Sequence, residues 1–159
     1  MHDGRRPGGE VNETPFLRWA KSQAHTIDRL SWDGPDADLA PLGDIIGRAP
    51  VVSFGEGLHG GAEPLVFRNR LFRFLVEHMG FTAIAIESGI VEAFEVNRYV
   101  LGGDGVLEDV LARGLLHGFD RLPQNVELVR WMRAYNADPT HPRKIQFFGM
   151  DVSGSPSAM

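Results

Sequence analysis

Apolar and polar positions along this chain follow two rhythms, one helical and one of short unbroken runs. From Pro15 to Leu30, Phe16, Trp19, Ala20, Gln23, Ala24, Ile27 and Leu30 fall at helical spacing, which predicts an amphipathic helix. A turn-rich stretch follows, with a short helix expected around Leu39 to Ile46. From Ala62 to Met79 a longer helical stretch carries Leu65, Leu71, Phe72 and Leu75 on one stripe, and Gly80 stands after it as a C-cap. Three short apolar runs break the helical rhythm: VVSF (Val51 to Phe54), TAIAI (Thr82 to Ile86) and KIQFFGM (Lys144 to Met150). The first two are apolar on both faces, as buried parallel strands are. Between the second and third runs lie three helical pieces, Ile90 to Leu101, Val106 to Leu115 and Pro123 to Asn136. Pro123 suits a first helical turn.

Strands alternating with helices predict an α/β domain with a mainly parallel sheet, flanking helices and a helical insertion between the second and third predicted strands. Residues 1–14, rich in Gly, Pro and charge, read as a disordered lead, and residues 15–159 as a single domain. Three strands make a narrow sheet whose edges need cover. After the third run an α/β unit would pass into another helix, so the domain reads as truncated at its C-terminal side.

Composition narrows the function. The 159 residues suffice for one domain and one core, and 43% hydrophobic with 23% charged residues is ordinary for a globular protein. A net charge of −5 without a basic block gives no electrostatic support for nucleic-acid or membrane-surface binding. No apolar run spans a bilayer and no signal-peptide core follows the basic N-terminal residues, so a cytoplasmic protein is expected. The absence of cysteine excludes a disulfide framework, a thiol nucleophile and a thiolate metal site. Oligomeric state is not legible here.

Ligands of open α/β sheets bind beyond the carboxyl ends of the strands. There the first predicted strand leads into Gly55-Glu56-Gly57-Leu58-His59-Gly60, the second ends in Glu87-Ser88, and the third ends in Gly149-Met150-Asp151. Three strand ends thus bring an ionisable group to one edge. Arg68 lies on the core-facing stripe of the Ala62 to Met79 helix, where an unpaired guanidinium is costly, so Glu56 or Glu87 is its expected partner. Arg70 and Arg73 read as solvated.

Gly55, Gly57 and Gly60 also spell the G-x-G-x-x-G of a dinucleotide loop, but Glu56 would set a negative charge against a pyrophosphate. A hydrolytic reading suits the loop better. His59 can act as a general base near neutral pH, Glu56 can hold its imidazole in one tautomer, and Arg68 can stabilise an oxyanion. Gly60 would admit substrate to the backbone, and Asp151, His117 and Asn125 are candidate substrate-binding residues. Asn125 is a brace between the helical region and the strand edge. Ser153 lacks the G-x-S-x-G context of a serine nucleophile. His25, His78 and His141 carry no partner signal, and Trp19, Trp131 and Tyr135 read as core or cleft walls. Two alternatives stay open: a non-catalytic module binding a small ligand or metal in the same cleft, and a nucleotide-binding domain.

The stretch GEGLHGGAEPLVFRNRLFRFLVEHMGFTAIAIES resembles the erythromycin esterase family, in which a G-E-x-x-H-G loop, an Arg on the next helix and a Glu ending the next strand recur. DADLAPLGDIIGRAPVV, VNRYVLGG, LPQNVELVRWMRAYN and FFGMD extend the likeness over roughly Phe16 to Asp151. The resemblance implies a carboxylic ester hydrolase, by water attack on a macrolactone such as that of a macrolide antibiotic, in the chemistry of antibiotic resistance. It implies His59 as base, with Glu56, Arg68 and Glu87 as the other catalytic groups, a small-molecule ester as substrate, and no required metal; no cofactor is expected. Gly57 departs from the family pattern. Members of the family are longer and draw further active-site histidines from a later half.

Overall fold

The structure is a computed structural model and describes residues 13–55, 57 and 61–152. Residues 1–12, most of the expected lead, lie outside the described residues, as does Ser153. Helix α1 (Pro15–Gln23) begins where Thr14 Oγ1 accepts the Leu17 amide at 3.2 Å. It stops seven residues short of the expected Leu30, because Ala24 turns to an extended conformation. None of its residues is buried, and Phe16 and Trp19 are 71% and 61% exposed, so Trp19 is not a core or cleft wall. Short helices gain most of their stability from tertiary packing, which this one lacks.

Helix α2 (Ala40–Ile46), preceded by a short 3-10 turn, falls where the sequence places it. Helix α3 (Ala62–Met79) ends at Gly80, whose left-handed φ of +76° closes the C-cap. The expected stripe of Leu65, Leu71, Phe72 and Leu75 is buried. So are Asn69, Arg70, Phe74 and Val76, because α3 is covered on more than one side. Phe72 and Val76 enter the main core, while Leu71, Phe74 and Leu75 join Leu39 in a smaller one.

The expectation that Arg70 and Arg73 are solvated is overturned. Arg70 is fully buried and Arg73 side-chain exposure is 18%. Arg70 donates to Asp38 and to the carbonyls of Arg29 and Pro35. Arg73 donates to the Trp32 carbonyl and to Asp36. The connection from Arg29 to Asp38 is thus strapped to α3 through guanidinium groups.

Strands β1 (Ala83–Gly89) and β2 (Gln146–Asp151) pair in parallel, Ala83 opposite Gln146 through Ile86 opposite Gly149. Between them run α4 (Ala93–Val100), α5 (Leu107–Gly114) and α6 (Pro123–Ala137), the three helices of the insertion. Their buried residues recur at three- and four-residue steps: Ala93, Val96 and Val100; Leu107, Val110 and Leu111; Leu128, Val129 and Met132. These residues meet Ile86, Ile145 and Phe147 in one core. The opposite face of the sheet, with Ala83, Ala85 and Met150, is exposed. An α/β fold with a small parallel sheet and flanking helices results.

The run Val51 to Phe54 is not a strand. Val52 packs on the Leu71, Phe74 and Leu75 cluster, and the Phe54 ring lies 5.7 Å from that of Phe67. Val52 and Phe54 thus touch the α3 side while Val51 stays exposed, and among the described residues the segment makes no backbone ladder with β1. A short apolar run satisfies either kind of burial, and periodicity alone does not separate them.

Candidate functional site

The carboxyl edge of the sheet is shaped by a bulge. Ile86 faces Gly149, whereas the next pairing is Gly89 with Asp151, so β1 carries one extra residue around Glu87 and Ser88. Bulges re-aim side chains at strand ends. A Cβ on Gly149 would collide with the carbonyl oxygens of Ser88 and Gly89, so glycine is what lets the two strand ends come this close. The Ile90 amide donates to the Asp151 carbonyl at 2.9 Å and ties the ends together. Ser88 is fully buried. Its hydroxyl accepts the Leu116 amide at 2.9 Å and donates to the Gly114 carbonyl at 3.4 Å, which anchors the connection after α5 to β1.

Arg68 is half-buried near the start of α3. Its Nε and one terminal nitrogen donate to Asn69 Oδ1 at 3.2 and 2.7 Å, and the same terminal nitrogen donates to Asn125 Oδ1 at 2.7 Å. Asn125 Nδ2 in turn donates to the Phe119 carbonyl at 2.9 Å, and Asn69 Nδ2 to the Gln124 carbonyl at 2.7 Å. Both asparagines are 1% exposed. The guanidinium plane is therefore set by two buried amides that join α3 to the start of α6. Glu56, one of the two carboxylates expected beside Arg68, lies outside the described residues, as do His59 and Gly60. Asn69 was missed by sequence reasoning. Its signal was only its place beside Arg68, one position off the apolar stripe.

Glu87 is half-buried on the bulge, and Asp151 is partly exposed at the end of β2. His117, from the connection after α5, places Nε2 3.5 Å from Asp151 Oδ2. A groove of about 470 Å³ lies along the open face of the sheet, with Val51, Phe54, Arg68, Ala85, Phe148 and Met150 in its walls. Arg68 alone of the described candidate residues lines it; Glu87, Asn125, His117 and Asp151 do not.

Other sequence readings resolve elsewhere. Trp131 stacks against Trp32, Phe72 and Tyr135 with centroids 5.5 to 5.8 Å apart. His141 has partners: its ring lies on Tyr135 at 3.8 Å, and Nδ1 meets the Tyr135 carbonyl at 3.0 Å. Among the described residues, Asp36, Glu77 and His78 bring three potential metal-ligating atoms together. They sit at the end of α3, which leads to the amino end of β1 and away from the edge carrying Glu87. Asp36 is moreover ion-paired to Arg73 at 3.2 Å, with Arg70 Nε at 4.0 Å, so a cation there competes with two guanidinium groups.

The fold is that of an α/β protein with a small parallel sheet and flanking helices. The chain belongs to the erythromycin esterase family, whose model matches residues 76–159. It is 33% identical to the erythromycin esterase type II of Escherichia coli over 86% of this chain and 32% of that protein. The type I enzyme of the same organism is 31% identical over 70% of this chain and 26% of its own length. The chain thus spans about a third or less of the curated relatives it matches. Among solved structures, a Bacillus cereus protein superposes with a TM-score of 0.76 at 33% identity, covering 84% of this chain and 32% of the other. A succinoglycan biosynthesis protein gives 0.77 at 32% identity, covering 90% and 35%. A His-to-Asn mutant of the erythromycin esterase EreC in its open conformation gives 0.59 at 28% identity, covering 77% and 29%. Among the described residues no helix is long and apolar enough to cross a membrane.

Proposed function

We propose that the chain carries part of a carboxylic ester hydrolase site that opens a macrolactone or a related ester by attack of water. His59 takes a proton from water, and the resulting hydroxide adds to the ester carbonyl. Glu56 holds the His59 imidazole in one tautomer during this step. Arg68 faces the charge that develops on the carbonyl oxygen, and Glu87 completes the electrostatic frame. Gly60 leaves room for the ester beside the backbone. Collapse of the adduct breaks the carbon–oxygen bond to the alcohol. No metal or cofactor enters this scheme, and it assigns the protein to the cytoplasm.

The supporting observation is the fixed guanidinium. Arg68 is aimed by Asn69 and Asn125 rather than left to rotate, which is what electrostatic stabilisation of an oxyanion needs. Family membership supports the same chemistry. The test is hydrolysis of erythromycin, followed by mass spectrometry, for the native chain and for His59→Ala. Ring opening lost in the variant supports the reading, and equal turnover by both overturns it.

A further inference from the structure

The connection between α5 and α6 is held at both ends and strained in the middle. At one end the Leu116 amide is bound by the buried Ser88 hydroxyl of β1. At the other, the Phe119 carbonyl is bound by Asn125, which also holds Arg68. Between these ties His117 has a φ of +61°, and among the described residues it is the one non-glycine with positive φ. Gly118, with φ +77°, pays no steric penalty for that conformation; a residue with a Cβ does. Such outliers persist where the surroundings over-determine them, and they concentrate at working sites.

What the strained residue presents is an imidazole on a carboxylate. Nε2 of His117 lies 3.5 Å from Asp151 Oδ2, and each side chain is 38% exposed. Phe119 covers the ring edge-on at 6.1 Å. Among the described residues Nδ1 of His117 has no hydrogen-bond partner. Nε2 is the ring nitrogen on the Asp151 side, so Nδ1 is the one left to exchange a proton with another molecule. The backbone of Asp151 is fixed, since its carbonyl holds the Ile90 amide and its residue pairs with Gly89. The pair therefore stands at the same strand ends as Glu87, tied through Asn125 to Arg68.

We propose that His117 is a second proton-transfer residue of the ester site and that Asp151 is its positioning residue; this rests on the hydrolase reading given above. When the tetrahedral adduct collapses, the carbon–oxygen bond breaks and its electron pair goes to the alcohol oxygen. That oxygen takes the proton from Nδ1 of the doubly protonated imidazole and leaves as the neutral alcohol. His117, now neutral with Nε2–H toward Asp151, regains a proton from solvent. The new carboxylic acid and His59 each release theirs, so the sum is ester plus water to carboxylate, alcohol and one proton.

A proton donor matters for an alcohol that leaves poorly and hardly at all for one that leaves as a stable anion. The experiment compares kcat/KM for butyl butyrate and 4-nitrophenyl butyrate in the native chain, His117→Gly, Asp151→Asn and His59→Ala. His117→Gly is the decisive variant, because glycine accepts the left-handed backbone and keeps the turn. The expected result is a loss of about 100-fold on the alkyl ester with less than about threefold on the aryl ester, for both His117→Gly and Asp151→Asn. His59→Ala is expected to lose both. At a pH high enough to leave the ring neutral, nitrogen chemical shifts of His117 should report the Nε2–H tautomer in the native chain and a mixed population in Asp151→Asn. Equal losses on the two esters, or full alkyl turnover by His117→Gly, overturn the proposal alone. If the native chain hydrolyses neither ester, the hydrolase reading falls and this proposal with it.

Discussion

Buried amides do at single positions what backbone ladders do elsewhere. Asn136 donates to the Val100 and Ile145 carbonyls and accepts the Ile145 amide, all at 2.8 Å, so one side chain joins the ends of α4 and α6 to the approach to β2. Asn97 accepts the Phe147 amide at 3.0 Å and pins β2 from α4. Asn125 does the same between Arg68 and the Phe119 carbonyl. Truncating Asn125 to alanine leaves that carbonyl and part of the guanidinium without their partner in a buried place. The expected cost is about 2 kcal/mol of unfolding free energy in urea denaturation, and no change would mean that the brace contributes nothing. Asn125 was legible in the sequence because it opens a helix that begins with proline. Asn69 was not, since an asparagine inside an amphipathic helix is normally turned to solvent, and only the cover over that face of α3 makes it a core residue.

At the scale of elements, the strap from Arg29 to Asp38 carries a carboxylate whose ionisation is linked to folding. The hydrogen bond from the Arg70 guanidinium holds the Asp38 carboxyl at about 2, below its ordinary 3.8, and the Asp28 amide assists at 3.0 Å. The folded value is the lower one, so the ionised carboxylate favours the folded chain. Its stabilisation is complete above 3.8, declines below it and is lost as pH falls through about 2. Urea midpoints of the native chain should drop across that window, while Asp38→Asn, less stable near neutral pH, should lack this component of the drop. Parallel curves for the two proteins would separate the strap from the acid response. Periodicity located α3 and its main stripe because apolar residues mark it. It assigned Arg70 to solvent because the material that covers Arg70 is a polar, turn-rich segment with no pattern of its own. The same limit explains α1: its spacing is helical throughout, but none of its residues is buried among the described ones, and the helix ends early.

For the molecule as a whole, one face of the sheet is closed by α4, α5 and α6 and the other is open. β1, β2 and the insertion were legible, since each strand is bounded by turn residues and each helix carries its own stripe. The run from Val51 to Phe54 was misread because only Val52 is covered, by the cluster on α3, and nothing in so short a run tells a ladder from a docking contact. Of the three strand ends expected to frame the site, those after β1 and β2 were legible and the one after Val51 to Phe54 was not; the bulge at Glu87, the left-handed His117 and the amide brace depend on backbone geometry that residue types do not announce. The open face has a measurable consequence. Its groove, with Ala85, Phe148 and Met150 in the wall, should bind an anilinonaphthalene sulfonate dye. Ala85→Glu is expected to weaken that binding about tenfold with little change in the unfolding midpoint, and undiminished dye affinity would place the dye elsewhere.

The pairing of Ala83 with Gln146 across three intervening helices also orders events in time. Closing so long a loop costs entropy before any ladder bond returns it. Helices α4 to α6 shorten that loop only once they have packed on one another, so the strand ends that carry Glu87 and Asp151 are expected to meet late on the folding route. A chain stalled before that step would have formed helices and strand ends that have not yet met.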